Sequence, residues 1–545
     1  MRSLASRRAA WRIGVSVVST ALAVAAFPAL AGPVKVTLQP FIVQASSATV
    51  AHTAVDAVIA ANLGTGQVVL ELPLVNGVLA NLSTVEVTQL SATYAVSPDL
   101  KVLTSMVPAK GGPPPPPARQ LDNVFPQVTD ASAVIAGGNS GQGVGVAVVD
   151  TGIAELPDFA GRLRPGVDFT TENNPHLDSY GHGTFVAGLI AGDGSSSSGV
   201  YVGEAPGADL VPVKVAGKSG STTVSTLIRA LQWIKDDTTD NIRVVNMSVG
   251  AIPQGPTALN PLDQAVETLW QSGYVVVTSA GNNGASRGTV TSPGDDPLVI
   301  TVGALDDKDT VTPTDDAVPS FSSNGPTSSD AWWKPDLIAP GKSVVSVMAP
   351  RSVIWNNFKS ARVGTTNFVG SGTSFAAAIT SGAAAMLLVD NPAATPDNVK
   401  AALLTTTNAG PGTVQDPFQQ GHGVLDVARA VDEPVVNMVQ DVSSIPIPVV
   451  GTPIPLVSTQ IVSTWATVNV TEQLLYPSPY PFPYFGDATT SQDSGTPLFQ
   501  SSAWNSSAWN SSAWNSSAWN SSAWNSSAWN SSAWNSSAWN SSAWN

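Results

Sequence analysis

The chain has 545 residues, a formal net charge of −15 and no cysteine. Without cysteine there is no disulfide framework, no thiolate catalysis and no cysteine-ligated metal, and the acidic balance argues against nucleic acid as a partner. The length exceeds one ordinary domain and leaves room for a large core with appendages.

Residues 1–31 carry Arg2, Arg7, Arg8 and Arg12 ahead of an apolar stretch that ends in Ala29-Leu30-Ala31. That is the basic, apolar and small-residue pattern of a signal peptide, and it predicts export from the cell. Arg7-Arg8 also hints at a twin-arginine route. Pro28 and the short apolar run argue against a membrane anchor, and no later segment reads as a span. Residues 32–108 form a small unit: VKVTLQPFIVQ, QVVLELPL and VNGVLANL read as strands, STVEVTQLSATY as a helix and KVLTSMV as a closing strand. Residues 109–119 hold Gly111-Gly112 and five prolines, Pro113 to Pro117, an exposed linker suited to cutting. The start of a mature chain stays open between Val107 and Asp122.

From 120 to 432, apolar strands alternate with helical patterns. The strands are VGVAVVD, DLVPVKV, RVVNMSV, YVVVTSA and LVITVGA; TVSTLIRALQWIKDD and NPLDQAVETLWQSG have helical spacing of apolar residues. This alternation predicts an α/β fold, a parallel sheet with helices on both faces. VGVAVVD is a near-continuous apolar run, as in a strand buried on both faces, and Asp150 closes it at the carboxyl end, where such sheets place their sites. A carboxylate there needs a donor, although Asp also suits an ordinary turn. His182 lies between Gly181 and Gly183 ahead of the helical run TFVAGLIAG, and is one of four histidines with His52, His176 and His422. Ser374, in GSGTSF, precedes AAAITSGAAAMLL, a small and apolar stretch suited to a buried helix; the bland role for such a serine is a helix cap. YVVVTSAGNNG brings Asn282 to another strand end, beside an Asn283-Gly284 turn. A carboxylate, an imidazole and a hydroxyl, in the order Asp, His, Ser, are the parts of a nucleophilic triad that only folding can assemble.

Residues 433–500 are proline-rich, and 501–545 repeat SSAWN nine times. A five-residue period advances roughly 140° around a helix, so the tryptophans form no stripe. The composition reads as a mostly disordered, adhesive tail. Its tryptophans offer faces for sugar rings or cell-wall polymers, hence an expected surface association, and eight Asn-Ser-Ser triplets satisfy the glycosylation sequon.

Through VAVVDTG, HGTFVAG and GTSFAAA the chain resembles the subtilisin-like serine peptidases, the subtilases, over roughly residues 120 to 432. GHGVLDVARAV, 421–431, resembles the segment that closes their domain. The resemblance implies a subtilisin-like fold and a serine endopeptidase with Ser374 as nucleophile, His182 as base and Asp150 as its orienting carboxylate. It puts the oxyanion donors on Asn282 and the Ser374 backbone N–H, the amide contributing about 3–4 kcal/mol. Ser248-Val249-Gly250 and Ser219-Gly220-Ser221 match the two edges that pair with an extended polypeptide substrate, with an apolar preference at the residue before the cut. Val75-Asn76-Gly77-Val78-Leu79-Ala80 resembles the prodomain that assists folding and then inhibits through its C-terminal strand. This implies an autoprocessed proenzyme with its own propeptide as intramolecular inhibitor. No cofactor is implied for the chemistry. Asp158 matches a family calcium ligand, but the loop Gly192-Asp193-Gly194 and its four serines depart from the usual phrase, so a structural calcium and a solvated carboxylate remain alternatives. Phe185 stands where a second histidine is frequent, and Ala378 where a proline is usual. The rival expectation is a non-catalytic, wall-binding protein displaying the tryptophan tail on the same scaffold.

Overall fold

A computed structural model of the chain describes residues 37–62, 66–104, 107–108, 123–253, 255–412 and 416–433. Segments 1–31, 109–119, 434–500 and 501–545, with the signal, linker and tail expectations attached to them, lie outside the described residues.

Alternating apolar residues in the N-terminal unit give β1 (Gln39–Gln44), β2 (Gln67–Leu72), β3 (Gly77–Leu82) and β4 (Ala95–Pro98), an antiparallel sheet in the order β2-β3-β1-β4. Two helices cover it, Ala48–Ala61 and Thr84–Leu90. Ser47 caps the first by accepting the Val50 N–H. Ser83 and Glu86 form a reciprocal capping box on the second, which satisfies donors that a helix start otherwise leaves orphaned. Val43, Ala51, Val55, Val78, Ala80, Leu82 and Leu90 make the core of this unit. The Ala48–Ala61 helix is missing from the elements expected of this unit, although its apolar residues recur at helical spacing. The expected closing strand divides into β5 (Lys101–Thr104) and β6 (Val107–Pro108), which pair elsewhere.

The larger core is built on β7 (Gly145–Asp150), β8 (Val167–Asp168), β9 (Asp209–Lys214), β11 (Ile242–Met247), β13 (Val275–Ser279), β14 (Ile300–Leu305) and β15 (Leu337–Pro340). These seven strands form one parallel sheet in the order β15-β14-β13-β11-β7-β9-β8. Every residue of β7, β9, β13, β14 and β15 is buried, as both faces of a parallel sheet require. The Thr373–Asp390 helix is made of small residues, so it lies close across β7, β11, β13, β14 and β15 and against the His182–Ala191 helix. By length and composition it would suffice to cross a membrane, but it is 89% buried in this core.

The helices Val224–Asp236 and Pro261–Gln271 pack on each other, and the Pro73–Val75 turn of the N-terminal unit rests on both. Apolar residues 224, 227, 228, 231 and 234 line the buried face of the first, the spacing of an amphipathic helix. Gln44 Nε2 donates to Gln264 Oε1 at 2.6 Å, and the Asp99 carboxylate accepts the Ser225 N–H and hydroxyl at 2.8 and 2.7 Å. Short antiparallel strands complete the fold. They are β10 (Ser221–Thr223), β12 (Val249–Gly250), β16 (Val344–Val347), β17 (Arg362–Val363) and β18 (Asn367–Ser371).

Candidate active site

Asp150 leaves β7 at its carboxyl end with its side chain fully buried. Its main-chain oxygen holds the Val215 N–H at 2.8 Å, so the strand end is anchored to the chain just past β9. Its carboxylate accepts the Thr151 N–H at 2.8 Å, and both oxygens lie 2.8 Å from His182 Nδ1. A carboxylate is acceptor-only, so Nδ1 carries the proton and Nε2 keeps the lone pair of a general base. His182 is fully buried, and Nε2 finds no hydrogen-bond partner among the described residues.

His182 is the first residue of its helix, after Gly181 in the left-handed region at φ 110°. A Cβ on Gly181 would sit 2.9 Å from Met348 Sδ, and one on Gly183 would collide with the Gly152 carbonyl. Gly183 therefore lets the helix start press onto the end of β7, and Gly181 lets it approach Met348 and Ser352. Sequence reasoning missed Asp178, which completes this joint. It is buried, and accepts the Thr151 hydroxyl at 2.8 Å, the Gly181 N–H at 2.7 Å and the Thr184 N–H at 2.8 Å, while Thr151 Oγ1 accepts the Gly183 N–H at 2.9 Å. Burial raises its pKa against the opposing effect of the donors from Thr184, Gly181 and Thr151. The available signal was an acidic residue just ahead of an uncapped helix start.

Ser374 is the second residue of the Thr373–Asp390 helix and is fully buried. Its hydroxyl donates to the Ser248 carbonyl at 3.3 Å, while the Ser248 hydroxyl donates to the Ser374 carbonyl at 2.9 Å. Asn246 Nδ2 donates to Ser248 Oγ at 3.0 Å, and Ser381 Oγ donates to Asn246 Oδ1 at 3.0 Å. The serine is therefore held to β11 and its continuation by a buried polar chain. No hydrogen bond joins Ser374 to His182 in this arrangement, since Nε2 has none. Asn282 Oδ1 accepts both the N–H and the hydroxyl of Thr373 at 3.0 Å, and the Thr373 hydroxyl accepts the Gly281 N–H at 3.1 Å. The oxygen of Asn282 is thus committed to the start of the helix that carries Ser374. A developing anion there would also meet the positive end of an 18-residue helix.

The two expected substrate edges face a common strand. β5 pairs antiparallel with β10 on one side, Thr222 opposite Val102 and Ser221 opposite Leu103. It pairs with β12 on the other, Leu103 opposite Gly250 and Thr104 opposite Val249. Ser219 and Gly220 form the turn into β10, Gly220 at φ 64° and the Ser219 and Ser221 hydroxyls 2.8 Å apart. Beyond Ser374's side of the site, β6 pairs with β18, Val107 opposite Ser371 and Pro108 opposite Gly370.

Asp158 does not offer a cation cage. Its carboxylate takes the Ser196 N–H at 3.3 Å and the Ser196 hydroxyl, and its main-chain oxygen takes the Arg162 guanidinium and the Asp193 N–H. A buried carboxylate that accepts from Ser196, with a guanidinium on the adjoining main-chain oxygen, does not fit a calcium ion, which needs several oxygens turned inward. Among the described residues no group of three or more histidine or acidic side chains is arranged to hold a metal. The loop that departs from the family phrase supplies the donors to the carboxylate, through Ser196. Phe185 packs its ring 4.5 Å from Phe375, which lies 5.8 Å from the His182 ring. Ala378 is buried within the unbroken Thr373–Asp390 helix.

Residues 141–423, a little over half of the chain, match the subtilase family. Serine protease AprX of Bacillus subtilis is 42% identical over 324 residues, which cover 57% of this chain and 73% of that one. Subtilisin DY of Bacillus licheniformis is 34% identical over 303 residues, 55% of this chain and 95% of that one. The crystal structure of fervidolysin from Fervidobacterium pennivorans superposes with a TM-score of 0.57 at 24% identity, covering 74% of this chain and 62% of fervidolysin, and attests the fold. With the parallel sheet, the helix starts at its carboxyl edge and these relatives all in agreement, the chain belongs to the subtilase family and is a subtilisin-like serine endopeptidase.

Proposed function

We propose that this chain is an exported endopeptidase, made as a precursor that its own N-terminal unit holds inactive, and that it hydrolyses extended polypeptides through Asp150, His182 and Ser374. Ser374 Oγ turns from the Ser248 carbonyl toward Nε2 and attacks the substrate carbonyl. His182 takes its proton and returns it to the leaving amine, while Asp150 keeps the ring in one tautomer and stabilises the imidazolium. Asn282 Nδ2 and the Ser374 N–H hold the oxyanion. Ser219 to Ser221 and Ser248 to Gly250 pair with the substrate backbone, so side-chain demands are few.

The observation that carries this reading is the place of β5. A strand of the N-terminal unit pairs with both substrate edges at once, as a bound peptide would, and excludes any other occupant. The basic and apolar pattern of residues 1–31 supports export. The test uses a serine-directed phosphonate. It should label the matured protein at Ser374 and leave the uncut precursor and Ser374→Ala unlabelled. Labelling that persists in Ser374→Ala refutes the assignment. Nothing observed favours the non-catalytic, wall-binding alternative; it would gain only if deleting 501–545 abolished hydrolysis of small peptides.

A further inference from the structure

β11 is the middle strand of the seven-stranded sheet. Val244, Val245 and Met247 are buried and apolar, but Asn246 among them is fully buried too, with Val148 opposite it on β7 and Val277 on β13. An amide in such a place is costly unless its donor and its acceptor both find partners. Both do, and the partners lead to the nucleophile. Asn246 Nδ2 donates to Ser248 Oγ at 3.0 Å, and Asn246 Oδ1 accepts the Ser381 hydroxyl at 3.0 Å. The Ser248 hydroxyl in turn donates to the Ser374 carbonyl at 2.9 Å. All four residues are fully buried.

Ser374 and Ser381 stand seven positions apart on one helix, about two turns, so they share a side of it. One amide of β11 therefore holds that side at two points, directly at Ser381 and through Ser248 at Ser374. A single contact would leave the helix free to pivot on it, whereas two in line fix both its pivot and its slide along the strand. The Ser374 hydroxyl rests on the Ser248 carbonyl at 3.3 Å and takes its direction from this attachment. The residue before the nucleophile is held separately, because Asn282 Oδ1 accepts the Thr373 N–H and hydroxyl.

We propose that Asn246 is a positioning residue for the reaction, acting through Ser248 and Ser381 to fix where Ser374 Oγ points. The inference rests on reading Ser374 as the nucleophile and adds to that reading the group that aims it. The Asn246 amide neither takes nor gives a proton in the reaction. Its effect is geometric: Ser374 Oγ must leave the Ser248 carbonyl, reach His182 Nε2 and meet a substrate carbonyl at attacking distance, and a misplacement of about 1 Å there costs about 10²-fold in rate. Substrate pairing uses the main chain of Ser248 to Gly250, which the amide does not supply. Loss of Asn246 should therefore fall on kcat and spare KM.

The test compares matured Asn246→Leu, Ser248→Ala and Ser381→Ala with the parent on a peptide amide, with kcat counted per Ser374 labelled to completion by the phosphonate. Asn246→Leu, which keeps the volume and removes both links, and Ser248→Ala should each lower kcat by about 10- to 100-fold with KM little changed. Ser381→Ala, which leaves the Ser248 link in place, should lower it less. Because the residues act as one chain, adding Ser248→Ala to Asn246→Leu should cause no further fall. The acid limb of the kcat/KM profile should stay where it is, since Asp150 and His182 are untouched. An unchanged kcat per labelled site in Asn246→Leu and Ser248→Ala, even with a lower urea midpoint, overturns the positioning role and leaves Asn246 a structural residue. Effects that multiply in the double variant, or a displaced acid limb, overturn it as well. Should Asn246→Leu fail to mature, Ser248→Ala and Ser381→Ala decide by the same readouts. Peptide hydrolysis undiminished in Ser374→Ala overturns this role and the nucleophile reading together.

Discussion

Glu204 is a titratable group the reaction does not use, and its burial should set how stability depends on pH. It sits where the His182–Ala191 and Thr373–Asp390 helices meet. Its N–H donates to the Leu189 carbonyl at 2.9 Å, and a Cβ built on Gly382 would lie 2.6 Å from its own Cβ. The carboxyl group is fully buried and lacks a well-formed hydrogen bond. Burial pushes its pKa from 4.5 up to about 8, against a smaller opposing effect of the Thr129 hydroxyl. Between those values the folded chain keeps a proton that the unfolded chain has released. Stability is therefore greatest below 4.5, falls as pH rises toward about 8, and is level above that. At about 1.4 kcal/mol for each tenfold in proton affinity, the loss is on the order of 5 kcal/mol when complete, and under about 1 kcal/mol at pH 5.

Glu204→Gln keeps the volume and removes the ionisation. In a Ser374→Ala background, which prevents self-digestion, its urea midpoint should match the parent at pH 5 and exceed it clearly at pH 8.5, by far-UV circular dichroism. Parallel midpoints at both pH values, or a variant weaker at pH 8.5, would refute the reasoning.

Asn282→Ala should lower kcat by about 10² to 10³ with little change in KM, because the amide acts on charge that develops only in the transition state; steady-state kinetics on a peptide amide checks this. Asp178→Ala removes the acceptor for two N–H groups at the start of the His182 helix and should cost about 1–2 kcal/mol by denaturant unfolding. It should also lower kcat, as the imidazole loses its fixed position relative to Ser374. Lys400→Met should destabilise by about 3–5 kcal/mol, measured the same way. The buried Lys400 ammonium donates to the Pro297, Leu298 and Val299 carbonyls at 2.8, 3.2 and 3.1 Å and lies 3.3 Å from Asp336 Oδ1, which leaves Lys334 as that carboxylate's only remaining ion-pair partner among the described residues.

Much of the site was legible because its parts sit in short phrases that carry their own geometry. VGVAVVD is apolar enough to be a buried strand, and a strand that ends in Asp150 presents it at the sheet edge. Glycines beside His182 and small residues after Ser374 announce a helix start pressed close to its neighbours. Asp178 was only weakly marked, as an acidic residue four positions ahead of His182, because only the folded turn aims it at its donors. Asp158 was ambiguous for a related reason: the same residue type suits a cation or a serine loop, and only the folded chain shows it accepting from Ser196.

By itself the sequence determined the alternation of strand and helix and the order in which the chain meets the candidate residues Asp150, His182 and Ser374. These come from local periodicity and from side-chain chemistry, which need no partner to be read. Only the tertiary structure decided that the Ser374 hydroxyl rests on Ser248, that β5 and β6 flank it in definite register, and that Lys400 closes on carbonyls about a hundred positions away. Such contacts join segments far apart in the chain, and no local pattern records the distance between them.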